Sequence, residues 1–518
     1  TADALKIAIV GAGAAGASAA YFARQELAEH HGSTPLDIHV FESSTRIGGR
    51  AHVGKVAYNN RTMYFEQGAS MFIGKNKHLV DMAARYNLTL CAHPCTFGDS
   101  AYVDGSGGLG GYGVWEPAAG GVEGRGSWAV RLRSGRTYRD GLRLLWRYGG
   151  LRDIGRVRGH TKAAVDEFLQ SYGEFDDPDR GVFGSWDEYL RDKPALQKGL
   201  YYTAEQFYSA EASGIGRRVL HEVVSLATRV NYMQDVDAVN TLGAHISMAA
   251  ESDRAYSVAG GNWQIFGRML DESGAHVHLN ASVLSIDVDD EHGYRLAVAG
   301  SSEGRDTRRR LRGFDAVVVA TPLPLSGIRV LDGRHAALVD VPYVRMHVTF
   351  VIGQLRADLF PADSQRLEPL PRLIVTPFGT TEPFNCLSIL ACLDSDSCAV
   401  AGRSTVLAKV FSHSPLDLSA VFASVHWHRR NSWHAYPRLV PRNAGNYSRA
   451  ALDDPMAFRL DRGALPPIVL DRRDAASAVY YVNGMESLFS TMESQTVAAR
   501  HVVRLALRAL LGARKQAK

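Results

Sequence analysis

Gly11-Ala-Gly13-Ala-Ala-Gly16 stands between an apolar run, Lys6-Ile-Ala-Ile-Val10, and an alanine-rich stretch from Ala17 to Ala28. That order constrains the chain more than any other feature. The apolar run predicts a buried strand and the alanine-rich stretch a helix. Gly11 permits a tight turn between them, Gly13 lets a pyrophosphate approach the backbone, and Gly16 lets the helix pack close to the strand. Ala14 and Ala15 then open the helix, whose unpaired N–H groups and partial positive charge face the phosphates. A second apolar run, Leu36 to Phe41, leads into Glu42 and Ser43. Glu42 is placed to accept hydrogen bonds from a ribose diol. It lies 26 residues after Gly16, beyond the usual ~20, and the polar insert Glu29 to Pro35 accounts for the excess. Strand, glycines, helix, strand and acid together predict dinucleotide binding.

At 518 residues the chain exceeds one compact core, so two domains are expected. No stretch approaches the roughly 18 apolar residues of a membrane span. Net charge is only +4, and the densest basic run, Arg305 to Arg312, reads as a solvated hairpin loop. No nucleic-acid motif accompanies it, so no nucleic-acid partner is expected. Five cysteines (Cys91, Cys95, Cys386, Cys392, Cys398) allow at most two bridges and leave a thiol. Cys91-x-x-x-Cys95 lacks a second ligand pair, and His426-Trp-His428 lacks a third ligand, so no metal site is expected. Four Asn-x-Ser/Thr sequons, at Asn60, Asn87, Asn280 and Asn446, predict glycosylation and passage through the secretory pathway. Because the chain starts at Thr1, a removed signal peptide is the expectation, with a lysosomal, vacuolar or secreted destination.

A second GxGxxG, Gly105 to Gly110, is followed by strand-like Gly111 to Glu116 rather than a helix, and reads as a hairpin turn. Without a second nucleotide site, the organic substrate itself supplies electrons and oxygen is the expected acceptor.

Further motifs sharpen the dinucleotide. Arg46-Ile-Gly-Gly-Arg50, Glu66-Gln-Gly-Ala-Ser70, Asp315-Ala-Val-Val-Val-Ala-Thr-Pro322 and Tyr480-Tyr-Val-Asn-Gly-Met-Glu486 before a helix from about Met492 form a set. The set resembles the glutathione-reductase-like flavoproteins in their amine-oxidase-like branch. The resemblance implies non-covalent FAD. Gly48, Gly49 and Arg50 would lie along the pyrophosphate and flavin, and Gly68, Ala69 and Ser70 would pass the flavin ring. Val283 would hold the adenine through its backbone, and Ala320, Thr321 and Pro322 would close over the cofactor. Asn483, Gly484, Glu486 and Met492 would reach the ribityl chain. One departure stands out: many relatives carry Gly-Asp where this chain has Asn483-Gly484, so Glu486 or the Asn483 amide must serve instead.

Leu144-Leu-Trp-Arg-Tyr148, Thr228-Arg-Val-Asn-Tyr232-Met-Gln-Asp-Val-Asp237, Tyr256 to Asn262 and Trp433-His-Ala-Tyr-Pro437 narrow the resemblance to the prenylcysteine oxidase (prenylcysteine lyase) family. It runs from Lys6 to about Leu511, with poor fits at 357–370 and 442–464. It implies oxidative cleavage of the farnesyl- or geranylgeranyl-cysteine thioether, giving prenyl aldehyde, cysteine and hydrogen peroxide. Such chemistry needs alignment in a dry pocket more than an acid–base pair. Tyr232 and Asn231 are read as orienting the head group, and Arg229 as pairing with its carboxylate or serving as a structural ion-pair residue. Trp433 and Tyr436 are read as walling the isoprenoid channel, with core packing the other reading of Trp433. Two alternatives stay open: a prenylated small molecule as substrate, and a non-catalytic flavoprotein binding module.

The expected fold is α/β, a Rossmann-type FAD-binding domain (1–75, 255–330 and 470–518) interleaved with an α+β substrate domain of antiparallel sheet and helices (76–254 and 331–469). Leu142 to Tyr172 and Glu205 to Thr228 read as helical, His347 to Ile352 and Leu387 to Ala391 as strands. The last helix is expected to pack back on the FAD domain, with peripheral membrane contact as the alternative.

Overall fold

The computed structural model describes residues 4–31, 34–92, 97–98, 112–116, 127–131, 145–177, 182–209, 214–249, 254–289, 291–302, 305–331, 341–360, 370–380, 383–394, 402–442, 465–474 and 477–516. The architecture is α/β, organised around two large sheets.

The first sheet has six strands in the order His276–His278, Leu36–Phe41, Leu5–Val10, Ala316–Val319, Ala478–Tyr481, Val469–Arg472. All neighbours are parallel except the last pair. Strands buried on both faces must be apolar throughout, and Ala316-Val-Val-Val319 is fully buried along its length. The helix Ala14–His31 lies on one face, its small residues Ala15, Ala17, Ala19, Ala20 and Ala23 buried. They keep it close enough to contact both Trp263–Ser273 and the final helix, Met492–Gln516. Val502, Val503, Leu507, Leu510 and Leu511 of that final helix are buried in the same core, so its apolar face is spent on packing.

The second large sheet has seven strands: Phe422–Pro437, Tyr343–Leu355, Thr405–Ser412, Cys386–Cys392, Leu373–Val375, Tyr112–Glu116 and Ser127–Arg131. It is antiparallel except where Leu373–Val375 meets Tyr112–Glu116. Helix Thr241–Ala249 contacts helices Arg152–Asp176 and Ser225–Tyr232, and Ser225–Tyr232 contacts strand Leu373–Val375. Among the described residues, no helix is long and apolar enough to cross a membrane.

Two expectations are corrected here. Arg305 to Arg312 is not a loop but most of a strand, Arg305–Phe314, at the edge of a four-stranded sheet. Its arginines fit an edge: Arg308, Arg309 and Arg310 are exposed, and charges there block further pairing. Glu205 to Thr228 is not one helical run. Helix Ala204–Ser209 stops, and after Gly214, at φ +49°, the chain resumes as Arg217–Val219, a π-helical turn Leu220–Val224 and helix Ser225–Tyr232. Glycine near residue 214 costs helix continuity, and the wider turn shifts the register of helix Ser225–Tyr232. Gly105–Gly110 lies outside the described residues; Tyr112–Glu116 is the strand expected after it.

Candidate active site

A cavity of about 770 Å³ runs from the N-terminal glycines to the seven-stranded sheet. At one end lies the cradle. The Gly11 N–H donates to the Phe41 carbonyl (2.8 Å), and Gly11 itself has φ +107°. A Cβ on Gly11 would sit 2.7 Å from the Ala320 carbonyl oxygen, and one on Gly16 would sit 1.8 Å from the Gly11 carbonyl oxygen. Gly13 is different: its Cβ would meet Gly49 Cα at 3.6 Å, so the space beside it is room for a ligand rather than for the fold. Gly11, Gly13, Ala14 and Ala15 line the cavity, whereas Gly16 lies under it and serves helix-to-strand packing.

Glu42 ends the second strand with its carboxylate accepting from the Ala12 N–H (2.9 Å) and the Ser44 N–H (2.8 Å). Fixed in this way and lining the cavity beside Ser43, it keeps lone pairs for a diol. The Arg46–Arg50 loop is tied to the first turn by the Gly48 N–H to the Ala12 carbonyl (2.9 Å). Gly48, Gly49, Arg50, Gly68, Ala69, Ser70, Val283, Ala320, Thr321, Pro322, Asn483 and Met492 all line the same cavity. Several buried polar atoms of this lining have no partner among the described residues: Glu66 Oε2, Asn483 Oδ1, Trp433 Nε1 and the Gln495 amide. Groups left so are the complement of a polar ligand. Cradle, acid and orphaned polar atoms together fit a dinucleotide.

The ribityl assignments need correcting. Glu486 is fully buried and outside the cavity lining; its carboxylate takes Arg50, the Tyr343 hydroxyl (3.2 Å) and the Asn483 amide (2.6 Å). Burial opposes the Arg50 charge, yet Glu486 outweighs it and holds the guanidinium above its ordinary range. With its oxygens spent, Glu486 does not replace the missing carboxylate. Gly484 also lies outside the lining, where a Cβ would strike Trp186 Nε1 at 2.6 Å. Asn483 is left, with its amide nitrogen on Glu486 and Oδ1 without a partner.

At the other end, helix Ser225–Tyr232 presents Asn231 and Tyr232, and strand Phe422–Pro437 presents Trp433 and Tyr436. Met233, at φ +49°, ends the helix immediately after them. Tyr232 donates to the Ser490 carbonyl (3.2 Å) and stands edge-on to Tyr436, ring centroids 5.3 Å apart. Burial pushes both phenols above their ordinary range, so both stay neutral. The Trp433 ring lies over Gly68, where a Cβ would come within 2.8 Å of it. Val165, Phe168 and Leu169 from helix Arg152–Asp176, with Leu226, Val230 and Ile246, make an apolar wall.

Of the two sequence readings of Arg229, the structure shows the structural ion pair and not the carboxylate partner for substrate. Its guanidinium is buried and bonded to Asp235 (2.8 and 3.0 Å) and Thr376 (2.8 Å), and it does not line the cavity. Arg229 sits three residues from Tyr232, but its side chain turns to Asp235 and Thr376.

Two titratable groups of the floor escaped sequence reading. Glu66 is buried, accepts the Asn262 N–H (2.6 Å), and is pushed up to about 7 by burial against that bond and Lys409. Lys409 donates to the Glu66 carbonyl (3.1 Å) and is drawn down to about 8 by burial, partly offset by Glu66 and Cys386. A signal existed: Lys409 is the one charged residue of Thr405–Ser412. A carboxyl whose pKa rises on folding from 4.5 to about 7 favours the fold below pH 4.5 and loses that advantage as pH rises through 7. Glu66→Gln is therefore expected to gain roughly 2–3 kcal/mol relative to wild type between pH 4.5 and 8. Thermal midpoints of both proteins across that range test this; a constant offset would sink it.

Among the described residues, no group of three His, Cys, Asp or Glu could hold a metal ion. Asn60, Asn87 and Asn280 are exposed, each with φ between 52° and 59°; Asn446 lies outside the described residues. Cys91 and Cys392 are disulfide-bonded and Cys386 is a buried thiol.

The prenylcysteine lyase family model matches residues 134–458. The chain belongs to the prenylcysteine lyase family. A model of the NAD(P)-binding Rossmann-like domain matches residues 9–86 of this family member, the cradle region. A protein named farnesylcysteine lyase, from Arabidopsis thaliana, is 27% identical over 96% of this chain and 87% of its own. Prenylcysteine oxidase 1 from Homo sapiens is 24% identical over 97% and 88%. Among solved structures, cyclohexylamine oxidase from Brevibacterium oxydans has a TM-score of 0.50 at 15% identity, covering 99% of this chain and all of that one. A putrescine oxidase variant has a TM-score of 0.53 at 14% identity, covering 98% and 100%. At such identities the likeness is one of fold.

Proposed function

We propose that this prenylcysteine lyase family member is an FAD-dependent oxidase that cleaves the thioether of farnesyl- or geranylgeranyl-cysteine. One observation carries the reading: a single cavity joins a dinucleotide cradle to an apolar wall, in a chain of this family. The lyase and oxidase names of its relatives support the same substrate.

Gly11, Gly13, Gly48 and Gly49 would hold the pyrophosphate of FAD, Glu42 its ribose, and Asn483 a ribityl hydroxyl. When bound, FAD would supply the two-electron oxidation, with oxygen as the final acceptor. The carbon that loses hydride stands between an alkene and sulfur, so the resulting cation is stabilised from both sides. Water adds to that carbon, and the hemithioacetal collapses to aldehyde and thiol. Prenylcysteine, water and oxygen thus give prenyl aldehyde, cysteine and hydrogen peroxide. The residues contribute placement and dryness. Val165, Phe168, Leu169 and Leu226 enclose the isoprenoid, Trp433 and Tyr436 wall the reacting end, and the neutral Tyr232 keeps Tyr436 in place. Incubating the enzyme aerobically with farnesylcysteine is expected to yield farnesal, cysteine and peroxide in equal amounts. Cysteine release without peroxide would contradict oxidase chemistry.

A secretory-pathway location, lysosomal, vacuolar or extracellular, completes the proposal. Three exposed sequon asparagines and two disulfide-bonded cysteines support it. Endoglycosidase treatment of the protein from its native source is expected to lower its apparent mass; an unchanged mass would contradict glycosylation.

A further inference from the structure

The Arg229 correction leaves the substrate's carboxylate without a partner. Most charged side chains on the cavity wall are already committed. Glu42 takes two backbone N–H groups, and Arg50 is held by Glu486. Lys409 rests on the Glu66 carbonyl, Lys75 is engaged elsewhere, and Glu493 accepts from His78 and Leu79 at the start of helix Lys77–Arg85. Among the arginines and lysines of the lining, Arg372 is the exception. It lines the cavity, is half-buried, and its guanidinium has no hydrogen bond or ion pair among the described residues. Its backbone is fixed, because the Ile389 N–H donates to its carbonyl at 2.7 Å.

Its place in the sheet suits an amphiphile. Leu373, the next residue, pairs with Ser388, and Ser388 pairs with Lys409 on the following strand. Two strand spacings of ~4.8 Å therefore put the backbone at Leu373 about 10 Å from that of Lys409. Leu373 itself packs against the buried cluster that contains Leu226, as do Val230 and Phe411. Arg372 thus lines the cavity next to a residue of the apolar wall, about two strands from the buried floor. An isoprenoid against that wall brings a polar head to Arg372, whose planar fork matches a carboxylate.

We propose that Arg372 binds the α-carboxylate of the cysteinyl head and so selects the free amino acid over carboxyl-blocked forms. The inference rests on the prenylcysteine reading given above. Lacking side-chain partners, Arg372 can be replaced without leaving another group unpaired.

The test is steady-state turnover of farnesylcysteine and its methyl ester by FAD-loaded wild type, Arg372→Met and Arg372→Lys. Wild type is expected to prefer the free acid. In R372M the KM for the acid should rise about 10- to 100-fold, the worth of a charge-assisted hydrogen bond. Its kcat and the ester's KM should change little, because the contact serves ground and transition states alike. R372K should recover part of the loss. An acid-to-ester ratio in R372M equal to that of wild type overturns the assignment. Should wild type turn over neither compound, the functional reading itself fails, and the role of Arg372 with it.

Discussion

Gly13→Val is expected to purify as a folded but colourless protein, with FAD affinity reduced at least about 100-fold, or ~2.7 kcal/mol. The spacing around Gly13 separates cofactor from fold. A Cβ there meets Gly49 Cα at 3.6 Å, ordinary van der Waals contact, and the residue needs no positive φ. The added methyls then occupy the space the pyrophosphate needs. Gly16→Ala is the opposite case, since its Cβ would lie 1.8 Å from the Gly11 carbonyl oxygen. It should fail to accumulate as folded protein rather than merely lose colour. Far-UV circular dichroism and flavin absorbance on both variants read the contrast. A yellow Gly13→Val would remove the pyrophosphate from this cradle.

Glu486→Leu should cost about 1–3 kcal/mol of stability, because it leaves the half-buried Arg50 beside an apolar residue, with the cavity supplying part of the lost solvation. The carboxylate is wholly buried, and three side chains converge on it: Arg50, Tyr343 and Asn483. Removing one member of a buried pair leaves the other uncompensated, whereas removing both is far milder. Arg50→Met/Glu486→Leu is accordingly expected to recover more than half of the lost stability while staying weak in FAD binding, since Arg50 lines the cavity. Denaturation midpoints of the two variants decide the matter. Equal losses in single and double variants would mean that the pair is not a coupled unit.

Gly13 and Glu486 also show where the sequence is legible. Gly11, Gly13, Gly16 and Glu42 act through the backbone over a short span, so spacing alone reveals them. Apolar runs such as Ala316–Val319 announce a buried parallel strand for the same reason. Partners far apart in the chain are another matter. Nothing near Glu486 says that Arg50 will meet it, or that its oxygens will be spent before a ribityl hydroxyl arrives. Arg229 sits in a motif that points to the site, yet Asp235 and Thr376 draw its side chain away. Arg372 carries no signal, because being unpaired is a property of the fold. The arginine run in Arg305–Phe314 misleads because an edge strand tolerates on its exposed face the charges a loop would carry.

Passage of electrons from a prenyl thioether to FAD bound in this cavity is the central claim. Anaerobic stopped-flow mixing of the FAD-loaded enzyme with farnesylcysteine tests it most directly. The flavin absorbance near 450 nm should bleach in a single turnover, with oxygen restoring it and S-alkylcysteines lacking the allylic carbon leaving it unchanged. Full retention of the oxidised spectrum with farnesylcysteine and geranylgeranylcysteine alike would contradict it.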